Sequence, residues 1–210
     1  RSVSIAVMNN SPHKCEAAVR QLVATLAGSP VKTLMYSIGA GSDVLYYPTR
    51  VASTFGWRPT RLDDEPKWAT RVHRGRAAAA AGIDPVRAAG EQAKASGMFF
   101  VPSYRMNDPH FVVDPDGYPL TGEFWLKHRE LRIGRSPVAG WDYSNLFDYN
   151  HEPVRSYRLA IIHEALTRYA DVMDGFELDF NRFQVLFAPG QATANAHLIT
   201  AIVARVPEWL

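Results

Sequence analysis

The feature that most restricts this chain is a recurring order of elements: a short apolar run suited to a buried strand, then a helical segment, four times over. The first unit is residues 2–8 followed by 14–26, where Val19, Leu22, Val23 and Leu26 recur at helical spacing before the stop signal Gly28-Ser29-Pro30. Residues 31–38 form the second apolar run. Helical segments at 66–81 and 85–96 follow it, the latter opened by an Asp84 cap with Pro85 at the first helical position. Strand 98–106 with helix 153–169, then strand 175–180 with helix 193–205, complete the series. Such alternation implies parallel strands joined by right-handed crossovers, and so an α/β sheet or a (β/α) barrel.

The connections leaving the second and third strands have grown, from Gly39 onward and from Asn107 to Asn150, the latter containing the turn signature Asp114-Pro115-Asp116-Gly117. In barrels and open α/β sheets that side carries the site. With 210 residues, 47% of them hydrophobic, the chain supports one core, and the expected organisation is a single domain over 1–210. Four strand-helix units are half of a TIM-type barrel, which takes about 250 residues. The expectation is therefore a partial (β/α) barrel that pairs with a second copy or is the amino-terminal half of a longer protein, because its edge strands need cover.

Composition narrows the partners. A formal net charge of +2, from 23 basic against 21 acidic residues, gives no field that argues for nucleic acid or an anionic membrane. A small neutral partner is expected. Cys15 is the single cysteine, so neither an internal disulfide nor a cysteine zinc site is available. No apolar run reaches membrane-spanning length. The chain begins at Arg1, which is compatible with removal of a signal peptide and a secreted or periplasmic setting, and equally with a cytoplasmic one. There is no P-loop, no G-x-G-x-x-G, no H-E-x-x-H and no G-x-S-x-G, and no cofactor is expected.

The densest chemical signal is Asp174-Gly175-Phe176-Glu177-Leu178-Asp179-Phe180-Asn181-Arg182. Period two sets Phe176, Leu178 and Phe180 on one face and Glu177, Asp179 and Asn181 on the other. Helices covering the apolar face leave the carboxylates on the inner one. Two carboxylates so placed stand about 6 to 7 Å apart from the strand rise, and like-charge repulsion between them favours a usable general acid. The structural alternative is neutralisation of both by Arg105 and Arg182. On the third strand Ser103, Arg105 and Asn107 share one parity, with Tyr104, Met106 and Asp108 on the other; Asn107, Asp108 and His110 are candidates for hydrogen bonds to hydroxyl groups. Asn9, Asn10, Tyr36 and Ser37 add a polar rim, and aromatic residues of the long loops, Trp125 among them, either stack on sugar rings or build small cores of their own. His163-Glu164 reads as ordinary helix surface.

Taken together, Ser103-Tyr-Arg-Met-Asn-Asp108, Glu123-Phe-Trp-Leu-Lys-His128, the stretch from Asp148-Tyr-Asn150 to Val154-Arg155, and the 174–182 motif resemble glycoside-hydrolase-like (β/α)-barrel proteins of polysaccharide-degrading bacteria, over residues 31–187. The resemblance implies a carbohydrate substrate and hydrolysis of a glycosidic bond. Asp179 and Glu177 would be the acid and base, with Arg105, Asn107, Asp108, His110, Tyr36, Trp125, Asn181 and Arg182 holding substrate. The 174–181 segment is also similar in form to the D-G-x-D-x-D-x-E motif of chitinase-like hydrolases, with Asn181 at the position of the final glutamate. Asp179 or Glu177 must then supply the proton, or the site binds without hydrolysing. Two other readings stand beside the hydrolase: a non-catalytic carbohydrate-binding partial barrel, and a metal-dependent sugar isomerase or epimerase with Glu177, Asp179, Asp108 and His110 as ligands.

Overall fold

In the computed structural model the described residues are 12–40, 43–66, 68–108, 117–134, 142–181 and 185–209. The expected strand 2–8 with Asn9 and Asn10, together with His110, Arg182 and most of the 114–117 turn, lie outside them. The elements in chain order are α1 (Pro12–Ala24), β1 (Thr33–Ser37), β2 (Gly39–Ala40), β3 (Val44–Leu45), β4 (Ser53–Thr54), α2 (Ala69–Ala80), α3 (Pro85–Ala95), β5 (Phe99–Arg105), α4 (Glu123–Lys127), α5 (Glu152–Tyr169), β6 (Glu177–Asp179) and α6 (Ala192–Arg205). Single 3-10 turns at Arg129–Leu131 and Val206–Trp209 complete the set.

The main sheet is parallel and runs β1-β5-β6, so strands adjacent in space are also successive strand-helix units. Its two faces differ. Leu34, Tyr36, Phe100, Pro102 and Tyr104 are buried on one, and Phe176, Leu178 and Phe180 pack against the same core. The helices α1, α3 and α5 meet the sheet on this face: Cys15 lines a cavity with Tyr36, Gly90 faces the Phe100 ring, and Arg158 donates to the Tyr104 hydroxyl. On the opposite face Met35 and Phe99 remain 53% and 60% exposed. The chain is thus a mixed α/β protein with helices against one face of a parallel sheet. Among the described residues no barrel closes, so the full (β/α)-barrel expectation is met only at the level of alternating parallel strands and helices.

Local chemistry accounts for the helices. Asp84 caps α3 by accepting from the Arg87 amide at 3.0 Å, with Pro85 following. The same carboxylate accepts from Arg168 Nε at 2.7 Å and from the Tyr169 hydroxyl, which joins α3 to α5.

The long connection after β1 folds into a second small sheet, β2 antiparallel to β3 and β3 parallel to β4. It has its own core of Val44, Phe55, Leu62, Trp68, Val72 and Leu120, so aromatic residues of the loops do build a satellite cluster here. Glu164 fastens this connection to α5. Its carboxylate accepts from Thr49 Oγ1 at 2.5 Å, from the Tyr47 hydroxyl at 3.1 Å and from the Arg50 amide at 2.7 Å. Reading Glu164 as plain helix surface is therefore corrected: a segment more than a hundred residues away covers that face. Close approach also fixes Gly75 on α2, where an added Cβ would stand 2.3 Å and 2.6 Å from ring carbons of buried Phe55. Gly75→Ala is expected to lose about 1 to 2 kcal/mol, the overpacking cost less the better helix propensity of alanine. Urea unfolding checks it, and an unchanged midpoint would mean the α2–Phe55 contact is loose.

Candidate functional site

The register places Ser37 beside Ser103, Ser103 beside Glu177, and Arg105 beside Asp179. Neighbouring residues in parallel register share a face. One polar face at the carboxyl ends of the strands therefore holds Ser37, Ser103, Arg105, Glu177 and Asp179, above the exposed apolar floor of Met35 and Phe99. Arg105, Glu177 and Asp179 are half-buried. Asp179 Oδ1 accepts from the Asn181 amide at 2.9 Å, which turns the chain at the strand end. The Glu177 side chain has no hydrogen bond or ion pair among the described residues.

Arg105 does not pair with either strand carboxylate. Its Nη1 donates to Asp108 Oδ2 at 2.8 Å, and the Asp108 side chain is 1% exposed. The Arg105 half of the neutralisation alternative is thereby corrected: the turn after β5 returns a carboxylate to its own strand, three residues on, while Arg182 lies outside the described residues. Asn107 is buried and donates from its amide to the carbonyls of Phe147 and Val185, both at 3.0 Å, tying two loops together. Tyr36 is buried on the helix-covered face, away from the carboxylates. Trp125 is 2% exposed, with the Arg132 guanidinium 3.4 Å above its ring. The structure thus brings together Arg105, Asp108, Glu177, Asp179 and Asn181, and puts Tyr36 and Trp125 in the core.

Directly behind β5 lies a buried polar network that sequence reasoning missed. Arg158 of α5 forms an ion pair with Asp43 and donates to the Tyr104 hydroxyl at 2.6 Å. The Tyr149 hydroxyl donates to the Met106 carbonyl. Asp43 follows β2 with φ of 65°, a left-handed conformation that aspartate tolerates better than most residues. Burial pushes its carboxyl above the ordinary aspartate range, against the attraction of Arg158 and the hydrogen bond from Tyr104. Burial likewise pushes the Tyr149 phenol up to about 12. Residues 104–108 are therefore held from behind at Tyr104, Met106 and Asn107, which leaves Arg105 facing the strand carboxylates. One signal existed in the sequence: Arg158 falls among Val154, Tyr157, Ile161, Ile162 and Ala165, on the apolar face of α5.

Cys15 is buried, and burial, then Glu16, pushes its thiol up to about 11, which keeps it in the less nucleophilic protonated form. Among the described residues no three His, Cys, Asp or Glu side chains are grouped to hold a metal ion, and no helix is long and apolar enough to cross a membrane. A mixed α/β chain with charged side chains at the carboxyl ends of parallel strands is the class these features define. Compared with protein-family models, the chain matches none; compared with curated proteins, it also matches none.

Proposed function

We propose that this chain is a glycan-directed hydrolase built on part of a (β/α) barrel, with Asp179 and Glu177 as the acid and base. The observation that carries the reading is the shared strand-end face of Arg105, Glu177 and Asp179 in a parallel sheet ordered by chain succession. Helices on one side and a half-polar, half-apolar surface on the other suit the wall of a barrel better than a doubly wound sheet, whose two faces are both covered. Barrel enzymes draw catalytic groups from strand ends, and glycosidases need two carboxyl groups flanking the bond. In this reading the sheet's open face is closed by a second copy or by further chain, as the resemblance of the 103–108 and 174–182 motifs to glycoside-hydrolase-like barrel proteins would have it.

The test is release of reducing ends from a panel of plant and algal polysaccharides, with Asp179→Asn and Glu177→Gln run beside the parent. Turnover by the parent is expected to fall at least about a hundredfold in one of the two variants, the usual contribution of a general acid or base. Undiminished turnover in both would remove the assignment. Asn181, where chitinase-like hydrolases carry glutamate, favours a second outcome: binding of a glycan with no release of reducing ends, which would make the chain a carbohydrate-binding module.

A further inference from the structure

Several half-buried arginines of this chain are neutralised by a carboxylate, and others, such as Arg155, are held by backbone carbonyls. Arg76 meets Asp63 at 2.6 Å, Arg105 meets Asp108 at 2.8 Å and Arg168 meets Asp84 at 2.7 Å. Two on α2 have neither kind of partner among the described residues: Arg71 and Arg74, one helical turn apart and both half-buried. Arg71 lies over the Trp68 ring, 5.8 Å from its centroid, and Trp68 meets Tyr118 edge-on at 6.3 Å. Arg74 lines a cavity together with Tyr46.

That cavity lies on the helix-covered side with Cys15 and Tyr36, and Tyr46 links it to the carboxyl end of the sheet. The Tyr46 amide donates to the Ile38 carbonyl at 2.8 Å, and the Ile38 amide to that of Ser103 at 3.0 Å, so Tyr46 continues the carboxyl end of β1. Its phenol lies within electrostatic reach of Arg105, Asp108 and Arg71. Tyr46 and Tyr118 both pack against the satellite core that contains Trp68. An arginine near an indole and without a carboxylate partner can grip a planar or tetrahedral oxyanion through two parallel N–H bonds. A neutral ligand would leave this charge uncompensated. The near-balanced charge of the whole chain, +2, conceals the local excess.

We propose that the ligand of this site is an anionic glycan, whose carboxylate or sulfate group is bound by Arg71 beside Tyr46 and Trp68. The inference names the substrate class and rests on the glycan-directed reading above. It also reverses the expectation of a neutral partner drawn from net charge.

The experiment measures binding by calorimetry with four probes: a short oligogalacturonate, a sulfated galactan oligosaccharide, a neutral cello-oligosaccharide and a single-stranded oligonucleotide. It uses the background carrying both Asp179→Asn and Glu177→Gln, so that turnover by either carboxylate cannot consume the probe. One of the two acidic glycans should bind at least about tenfold more tightly than the neutral one, and Arg71→Met should remove about tenfold or more of that affinity, as expected for a charge-assisted pair. Arg71→Lys should restore part of it, and the melting temperature of both variants should stay near the parent's because Arg71 makes no ion pair among the described residues. The uronate and sulfate arms tell the two anions apart. Equal binding of neutral and acidic glycans, undiminished binding in Arg71→Met, or preference for the oligonucleotide would each overturn the proposal. Acidic-glycan binding without hydrolysis keeps this inference and removes the hydrolase; hydrolysis of a neutral glycan alone does the reverse.

Discussion

Replacing Arg158 by methionine is expected to cost about 3 to 5 kcal/mol of folding stability, because it leaves the buried Asp43 carboxylate without its partner. Both side chains are almost fully buried, 2% and 4% exposed, so solvent cannot take the place of the lost guanidinium. Asp43→Asn together with Arg158→Met should be less destabilised than Arg158→Met alone, since the uncompensated charge is then gone. The pH dependence has a definite sign. In the folded chain Asp43 titrates above the ordinary aspartate range, so the fold binds that proton more tightly than the unfolded chain does. Its contribution is most favourable below the unfolded value of about 3.9 and declines as pH rises through the folded value. Loss of Arg158 raises the folded value further. The deficit of Arg158→Met should accordingly be full at neutral pH and shrink as pH is lowered toward about 4. Urea titrations of the three proteins across that range measure it, and a deficit under about 1 kcal/mol at neutral pH would mean the pair is solvated rather than buried.

The regular helices were legible because their signals are local. The expected segments at 14–26, 66–81, 85–96, 153–169 and 193–205 correspond to α1, α2, α3, α5 and α6, with ends displaced by at most three residues. Caps and apolar spacing lie within a few residues of what they specify. The two-residue strands β2, β3 and β4 and the five-residue α4 are too short to carry a period. Tertiary contacts define them instead: the Glu123 amide that opens α4 donates to Ser53 Oγ at 2.8 Å, across seventy residues of chain. Strand lengths were set in the same way. The run 175–180 narrows to Glu177–Asp179 because pairing with β5 extends only from Ser103 to Arg105.

The candidate site divides along the same line. Period two sorted 176–181 into an apolar and a charged set, since alternation is a property of the strand alone. Which charges meet depends on turns and on distant segments. Arg105 was expected to reach across the sheet, yet the turn that follows it supplies a nearer carboxylate in Asp108. Asp43 and Arg158 are 115 residues apart and Thr49 and Glu164 another 115, and no spacing rule joins such pairs. Burial of an arginine on an apolar helix face was the one available clue. It marks a demand for a partner without naming it.

Trp125→Ala is expected to lose about 3 to 5 kcal/mol, as large-to-small changes of a buried aromatic do. Trp125 lies in the core with 2% exposure, and Phe147 meets it edge-on at 6.5 Å. Arg132 stacks 3.4 Å from the ring centroid. From that position Arg132 donates to the Trp125 carbonyl at 2.8 Å and to Asn145 Oδ1 at 3.1 Å, which holds the long connection after β5 in place. Removing the indole opens a cavity beneath a half-buried guanidinium and withdraws its cation-π contact, so the loss should sit near the upper end of that range. Trp125→Phe keeps an apolar ring there and should cost less than half as much. A tryptophan that stacked on a sugar would behave otherwise: truncation would weaken glycan binding while leaving the unfolding midpoint almost unchanged. Paired measurements of denaturant midpoint and glycan affinity on the two variants separate these outcomes. A stable Trp125→Ala protein with impaired binding would return this residue to the list of substrate contacts.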